Sequence, residues 1–430
     1  MKKVFNCLLS SLLAASGFSA FAADPPPSVP PVTVKTTVGT AVDDLVAAAL
    51  KNSPGVVTLK ARLSASRERI TSSTALPDPT LGLSALGMGV DRLDPYSYVM
   101  IDYRQELPYP GKRDARKASA EAETGMRKAE LDELKGRLVE QIRVNYARIY
   151  AVDSEYRLLQ SSGELLDLLK AAASVRYSSG RSEQEALIKV QLESTRNAER
   201  ISEVEAERKM AVSMLGRLVA GDSTISLPIG ATLPVVALPQ GDTFELALKG
   251  ASGIALKKAG LRLAQKKAGE TRLGTKPDFG VGGGVGVGAM PMPMVLLKLD
   301  MSLPVWSGTK QEPEIRAAEL EVQAAKADLK DAENMVRSEV ERLLAQWSMD
   351  ESLIERYREA SIPQSKAAMD AAIAEYAAGK ADFSMVIEDF RSWLEAVTQL
   401  ARREADRYAV WAQVDALVSP VPVADEKGGR

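Results

Sequence analysis

The chain has 430 residues with only 5% aromatics, no histidine and one cysteine, and its 55 basic and 57 acidic residues leave a net charge of −2. So even a balance gives no sign of a nucleic-acid patch or a polybasic membrane switch, and the lack of imidazole and spare thiols excludes His/Cys metal centres and the usual catalytic triads. Long tracts rich in Ala, Leu, Glu, Lys and Arg point to extended helices that pack on one another.

Lys2 and Lys3 precede the apolar run from Val4 to Phe21, and Ala20-Phe21-Ala22 places small residues where a signal peptidase cuts, so residues 1–22 read as a signal peptide. Cys7 lies inside that run, so the mature chain is expected to have neither disulfides nor lipid attachment, and 53 basic residues remain against 57 acidic ones once Lys2 and Lys3 are removed. Residues 23–39, with Pro25-Pro26-Pro27 and Pro30-Pro31, read as a stiff extended leader. No later stretch reaches the roughly 18 consecutive apolar residues of a spanning helix, so any membrane crossing must be made by strands.

From residue 40 the pattern is helix, two short strands, a very long helical tract, a glycine break and another helix, and it then starts again. Residues 40–225 form the first repeat, 226–241 a Pro- and Gly-rich linker, 242–419 the second repeat and 420–430 a flexible tail. Three landmarks align the repeats: Pro77-Asp78 with Pro277-Asp278, Leu107-Pro108 with Leu303-Pro304, and Tyr177-Ser178-Ser179-Gly180 with Tyr376-Ala377-Ala378-Gly379, at offsets of 200, 196 and 199 residues. Such ordered agreement indicates an internal duplication, a common device of transport proteins.

After Gly111, apolar residues recur at Leu131, Leu134, Leu138, Ile142, Ile149, Val152, Tyr156, Leu159, Leu166 and Leu169, the seam of a coiled coil. No proline interrupts residues 112–176, and a helix of roughly 65 residues is about 98 Å long. The corresponding tract, residues 313–375, has one interruption at Pro363.

Strands are expected at about 80–90, 96–107, 278–289 and 294–304. In Phe279 to Gly288, glycine holds every position of one face, while Phe279, Val281, Val285 and Val287 hold the other; Val295, Leu297, Leu299, Met301 and Leu303 alternate with Lys298, Asp300 and Ser302. Val99, Ile101 and Tyr103 alternate in the same way with Asp102 and Arg104, and the Gly-rich partner strand is looser. Strands of about 10 residues with one apolar and one polar or tiny face suit a barrel wall. Four cannot close, because an open edge in lipid strands backbone groups, so oligomerisation is expected; three copies supply twelve strands. A soluble sheet lying against the helices is the other reading of these strands.

Leu76-Pro77-Asp78-Pro79 before one strand, and Gln105-Glu106-Leu107-Pro108-Tyr109-Pro110-Gly111-Lys112-Arg113 after the next, resemble the TolC outer-membrane efflux family, most of all its CzcC-like heavy-metal branch. The likeness covers nearly all the chain after the leader. It implies a mainly α fold with a membrane β-barrel, built from a duplicated helix/β-hairpin/helix unit. The implied assembly is a homotrimer with a twelve-stranded barrel and a long periplasmic α-helical tunnel. It works with a periplasmic adaptor (membrane fusion) protein and an inner-membrane pump of the resistance-nodulation-division type, and no enzymatic activity, cofactor or nucleic acid is involved.

On the same resemblance, the helix-hairpin tips fall at Gly180 and Gly379, whose left-handed conformations would end their helices. Tyr177, Gly180, Arg181, Tyr376, Gly379 and Lys380 would then face the docking adaptor. Tyr376 matches a tethering tyrosine of the closed entrance, and Glu388 a gate carboxylate, with Asp382 and Asp389 beside it. The family's tethering arginine is replaced by Ala381, with Lys380 one position earlier. Met290-Pro291-Met292-Pro293-Met294 reads as a proline-shaped extracellular loop with adaptable side chains at the lipid boundary, and its thioethers also suit copper(I) or silver(I). The glycine run at 280–288 lacks the Gly-Lys-Ser/Thr ending of a phosphate loop.

The expected function is a passive exit duct in the outer membrane for heavy-metal cations, powered by its inner-membrane partner. A drug-efflux or type I secretion duct needs the same architecture. A soluble periplasmic coiled-coil scaffold is the alternative of another class.

Overall fold

The computed structural model describes residues 41–88, 93–179, 184–220, 227–230, 232–288 and 292–419. The expected signal peptide, leader and tail lie outside these residues, as do Gly180, Arg181 and Met290.

The element order runs twice. The first pass comprises α1 (Val42–Asn52), α2 (Pro54–Thr74), β1 (Thr80–Met88), β2 (Leu93–Leu107), α3 (Lys112–Ser178) and α4 (Gln184–Ala220). The second comprises α5 (Thr243–Gly250), α6 (Ser252–Arg272), β3 (Asp278–Gly288), β4 (Met294–Ser302), α7 (Gln311–Arg356), α8 (Ile362–Ala377) and α9 (Phe383–Val418). Each short helix is joined to a 21-residue helix through one non-helical residue, Ser53 or Ala251.

At 67 residues α3 extends about 100 Å. Its start is set by Gly111, whose φ of 93° only glycine adopts easily, and whose carbonyl accepts from Ala115 N at 2.9 Å. The seam read from the sequence is inside: Leu131, Leu138, Ile142, Ile149, Val152, Leu159, Leu166 and Leu169 are buried, and Leu134 and Tyr156 pack against the same clusters.

Pro363 does not end the matching helix. It has no N–H to give the Glu359 carbonyl and its ring crowds that position, so the helix widens into a π turn over Tyr357–Ser361 and continues as α8. With that turn, α7 and α8 match α3 in length.

The four strands form one antiparallel sheet in the order β1-β2-β3-β4, so its central pair joins the two repeats. The joint between the repeats is a tied strap with no helix or strand in its described residues. Asp153, fully buried on α3, holds Arg208 of α4 at 2.6 Å and accepts from Gly230 N at 2.9 Å, while Arg208 donates to Leu227 O. Leu233, Val236 and Leu238 pack against the helical clusters below.

Polar bridges bind α3 and α4 to α9 along their length. Arg143 meets Asp415 at 2.5 Å, Tyr150 donates to Glu404 at 2.6 Å, and buried Glu155 is shared by Arg200 and Arg402. Burial and the adjoining Glu404 carboxylate push the Tyr150 hydroxyl up to about 12, so it stays a donor.

Candidate functional site: a paired hairpin tip and a two-faced sheet

At the end of the helices away from the sheet, the tips of both hairpins share one apolar core. Leu166, Leu169 and Ala173 of α3, Val190 of α4, Met369 and Tyr376 of α8, and Phe383, Val386, Ile387 and Phe390 of α9 are buried together. Gly379 takes φ 77°, Gly379 N donates to Tyr376 O at 3.0 Å and Lys380 N to Glu375 O at 2.9 Å. That pair of bonds is the Schellman ending, which uses the left-handed glycine to satisfy the last helical carbonyls.

Arg176, from the other hairpin, completes this ending. Its guanidinium donates to the carbonyls of Tyr376 and Ala377 and lies 4.7 Å from the Tyr376 ring centroid. The same ring meets Phe383 edge-on at 5.0 Å. Tyr376 is thus 6% exposed and held within its own chain. Lys380 is exposed and makes no ion pair among the described residues.

The acids expected near the gate differ in setting. Asp382 caps α9, accepting from Ser384 N at 2.9 Å and Ser384 Oγ at 3.1 Å, while Lys189 of α4 donates to the same hydroxyl. Those hydrogen bonds, the backbone one above all, hold its carboxyl below the usual carboxylate range. Glu388 is exposed and Asp389 half-buried, both without ion pairs among the described residues, on the side of α9 away from its buried Val386, Ile387 and Phe390.

The structure thus brings Tyr376, Gly379 and Asp382 into one cluster, with Tyr177 46% exposed beside it. Arg176, Phe383, Lys189 and Ser384 were missed by sequence reasoning. Arg176 carries the only advance signal, a cation in the last turn of its helix, although the carbonyls it serves are those of α8.

At the opposite end the sheet has two unlike faces. Leu81 and Leu83, Val99, Ile101 and Tyr103, Val285 and Val287, and Val295, Leu297 and Leu299 form a continuous apolar face and are all exposed. Register sets them side by side, Leu83 opposite Ile101, Ile101 opposite Val285 and Val285 opposite Val295.

The other face carries Asp102, Arg104, Lys298 and Asp300 over glycines. Arg104 lies 3.2 Å from Asp300, and Lys298 3.5 Å from the same carboxylate. Glycine is required beneath them: a Cβ at Gly282 would stand 2.7 Å from Tyr103 O, and one at Gly284 2.9 Å from Ile101 O. Further along this face Met100 and Met294 flank Gly286 in one row, and Met292 is exposed beyond them.

The remaining sides of β1 and β4 have no strand partner among the described residues. No described helix is long and apolar enough to cross a membrane. The described residues also contain no His/Cys/Asp/Glu cluster suited to a metal ion.

Residues 244–419 match the family described as Outer membrane efflux protein. The match covers the second repeat, from α5 to α9. The likeness in fold extends over both repeats: it includes the outer-membrane channel OprN, at 16% identity and a TM-score of 0.78, covering 88% of this chain and 90% of that one. It also includes VceC from Vibrio cholerae, at 16% and 0.75, covering 88% and 96%. A third is CusC, at 15% and 0.75, covering 88% and 92%, whose structures concern folding and transmembrane channel formation. No curated protein sequence matches the chain.

Proposed function

We propose that this protein is the passive exit duct of a tripartite efflux system, a homotrimer seated in the outer membrane with its helices extending into the periplasm, and that heavy-metal cations are its cargo. The observation that carries the reading is the two-faced sheet with unpaired edges. A sheet with an exposed apolar face and a charged, glycine-floored opposite face is unstable alone in water and in lipid, but three copies closed into a twelve-stranded barrel satisfy both solvents. Trp306, 71% exposed just beyond β4, suits the membrane–water boundary.

At the far end, the paired tips are the entrance. Tyr177, Gly180, Arg181, Gly379 and Lys380 meet a periplasmic adaptor, which couples the duct to an inner-membrane pump of the resistance-nodulation-division type, while the enclosed Tyr376 holds the turn that presents Gly379 and Lys380. Glu388 and Asp389, with Asp382 at the helix start, supply negative charge where cations enter. The duct itself performs no chemistry, since the pump supplies the energy. The metal preference rests on the Leu107-Pro108-Tyr109-Pro110-Gly111-Lys112-Arg113 segment.

Deleting the gene is expected to abolish metal resistance and leave drug tolerance unchanged. Lost drug tolerance with normal metal resistance would move the cargo to the drug class. A fully soluble monomer, with no heat-modifiable oligomer in outer-membrane fractions, would defeat the duct itself.

A further inference from the structure

The duplication contains a template for a contact that one chain leaves open. Within the chain, the segment after β2 grips the residue that opens β3: Tyr109 N donates to Asp278 Oδ1 at 2.8 Å, and Lys112 Nζ lies 2.8 Å from Asp278 Oδ2 and 2.8 Å from Lys276 O. Beside this clamp β2 and β3 pair without a slip, from Leu107 opposite Phe279 to Tyr98 opposite Gly288.

Both halves of the clamp exist a second time, but apart. Leu303-Pro304 and Gly308-Thr309-Lys310 after β4 correspond to Leu107-Pro108 and Gly111-Lys112, and Pro77-Asp78 before β1 corresponds to Pro277-Asp278. They stand at opposite edges of the sheet, since β1 and β4 are its outer strands. Asp78 and Lys310 are both exposed, and neither forms an ion pair among the described residues. Leu76, Leu303, Val305 and Trp306 are exposed around them.

We infer that β4 of one copy pairs antiparallel with β1 of the next in the register of β2 and β3, with Leu303 opposite Pro79, and that Lys310 takes Asp78 as Lys112 takes Asp278. Carrying the register over in this way sets Met301 opposite Leu81, Leu299 opposite Leu83 and Ser302 opposite Thr80. The outcome has an internal check. Met301, Leu299, Leu81 and Leu83 are all exposed on the apolar face, and a slip of one residue would set Leu299 against Gly82 or Ser84 on the charged face.

The inference rests on the oligomeric duct proposed above, and adds its seam. Cys7 is the only cysteine of the sequence and lies in the expected signal peptide, so introduced cysteines can be read without background in full-length protein in membranes. T80C/S302C and L83C/L299C are expected to cross-link neighbouring copies on mild oxidation, because directly opposed strand residues fall within the Cα separation a disulfide spans. T80C/D300C and T80C/K298C, displaced by two and four residues, are expected to lose the cross-link progressively.

Faster cross-linking of either displaced pair overturns the register, and so does a stable oligomer in which no pair cross-links. Absence of any oligomer overturns the duct reading instead. For the clamp, D78K and K310D are each expected to lower the temperature at which the oligomer dissociates on native gels, with D78K/K310D recovering most of that loss. Equal loss in the double variant overturns the ion pair.

Discussion

The long helices of the two repeats have the same length and opposite surroundings. α3 is buried at intervals from Ser119 to Ala173, enclosed by α2, α4, α6 and α9. α7 packs on α6 and α9 and has only Ala318 buried before Val340, with Leu320 and Met335 exposed along that stretch. One sequence plan, used twice, has therefore made an inner helix and an outer one. The outer helix still shows the apolar positions of its plan, which is what a helix facing a neighbouring copy would retain.

The largest effect should separate these two helices. Ile149→Asp on α3 puts a charge into a fully buried site and is expected to prevent folding, with no protease-resistant helical core, since an isolated buried charge costs several kcal/mol or more. Leu320→Asp on α7 should leave helical circular dichroism intact and weaken only the oligomer on native gels. Equal loss of helicity in both variants would remove the distinction between inner and outer helix.

Next in size is the tip, where the repeats touch directly. Gly379→Ala forces a side chain into a left-handed backbone at φ 77°, a cost of about 1–2 kcal/mol. The penalty should appear as faster proteolysis at that turn, with the overall melting temperature changed little.

A smaller effect is expected at the start of α9. Asp382→Ala removes the cap and should cost about 1 kcal/mol. Because hydrogen bonds from Ser384 lower the folded-state value of Asp382, its contribution is present above the ordinary carboxylate range and lost as pH falls below it. The difference between wild type and variant should thus shrink in strong acid.

The smallest effect probes two carboxylates that the inner and outer helices hold near each other. Burial, and then the nearby Glu339 of α7, raises the Glu140 carboxyl above its ordinary value. A raised carboxyl favours folding when protonated and is a liability at neutral pH. Glu140→Gln is therefore expected to raise the melting temperature slightly at pH 7 and to give no gain once the pH falls below the usual glutamate range. A gain that persists in acid would assign the effect to packing instead of charge.

Local pattern made much of this architecture legible in advance. The heptad spacing of Leu131 to Leu169 marked the buried side of α3, and the alternation of Phe279 to Gly288 marked the two faces of β3. The three paired landmarks located the duplication. Each is a short-range periodicity, and a period states which side of an element is apolar whatever it later packs against. The tip glycine was readable for the same reason, since a left-handed helix ending is a property of a few consecutive residues.

The rest depended on contacts between residues far apart in the chain. Nothing near Arg176 in the sequence shows that it will serve the carbonyls of Tyr376 and Ala377, or that Tyr376 will be stacked and enclosed within its own chain. The strap after Leu227 reads as a loose linker until the buried Asp153 and Arg208 tie it down. Pro363 reads as a break, yet the helix continues through a π turn and packs along α9 on both sides of it. By itself the sequence determined the elements, their faces and their repetition, because these follow from covalent geometry and local spacing. Which copy of each element became the enclosed one was decided by tertiary structure, because burial and ion pairing are properties of neighbours that the chain meets only on folding.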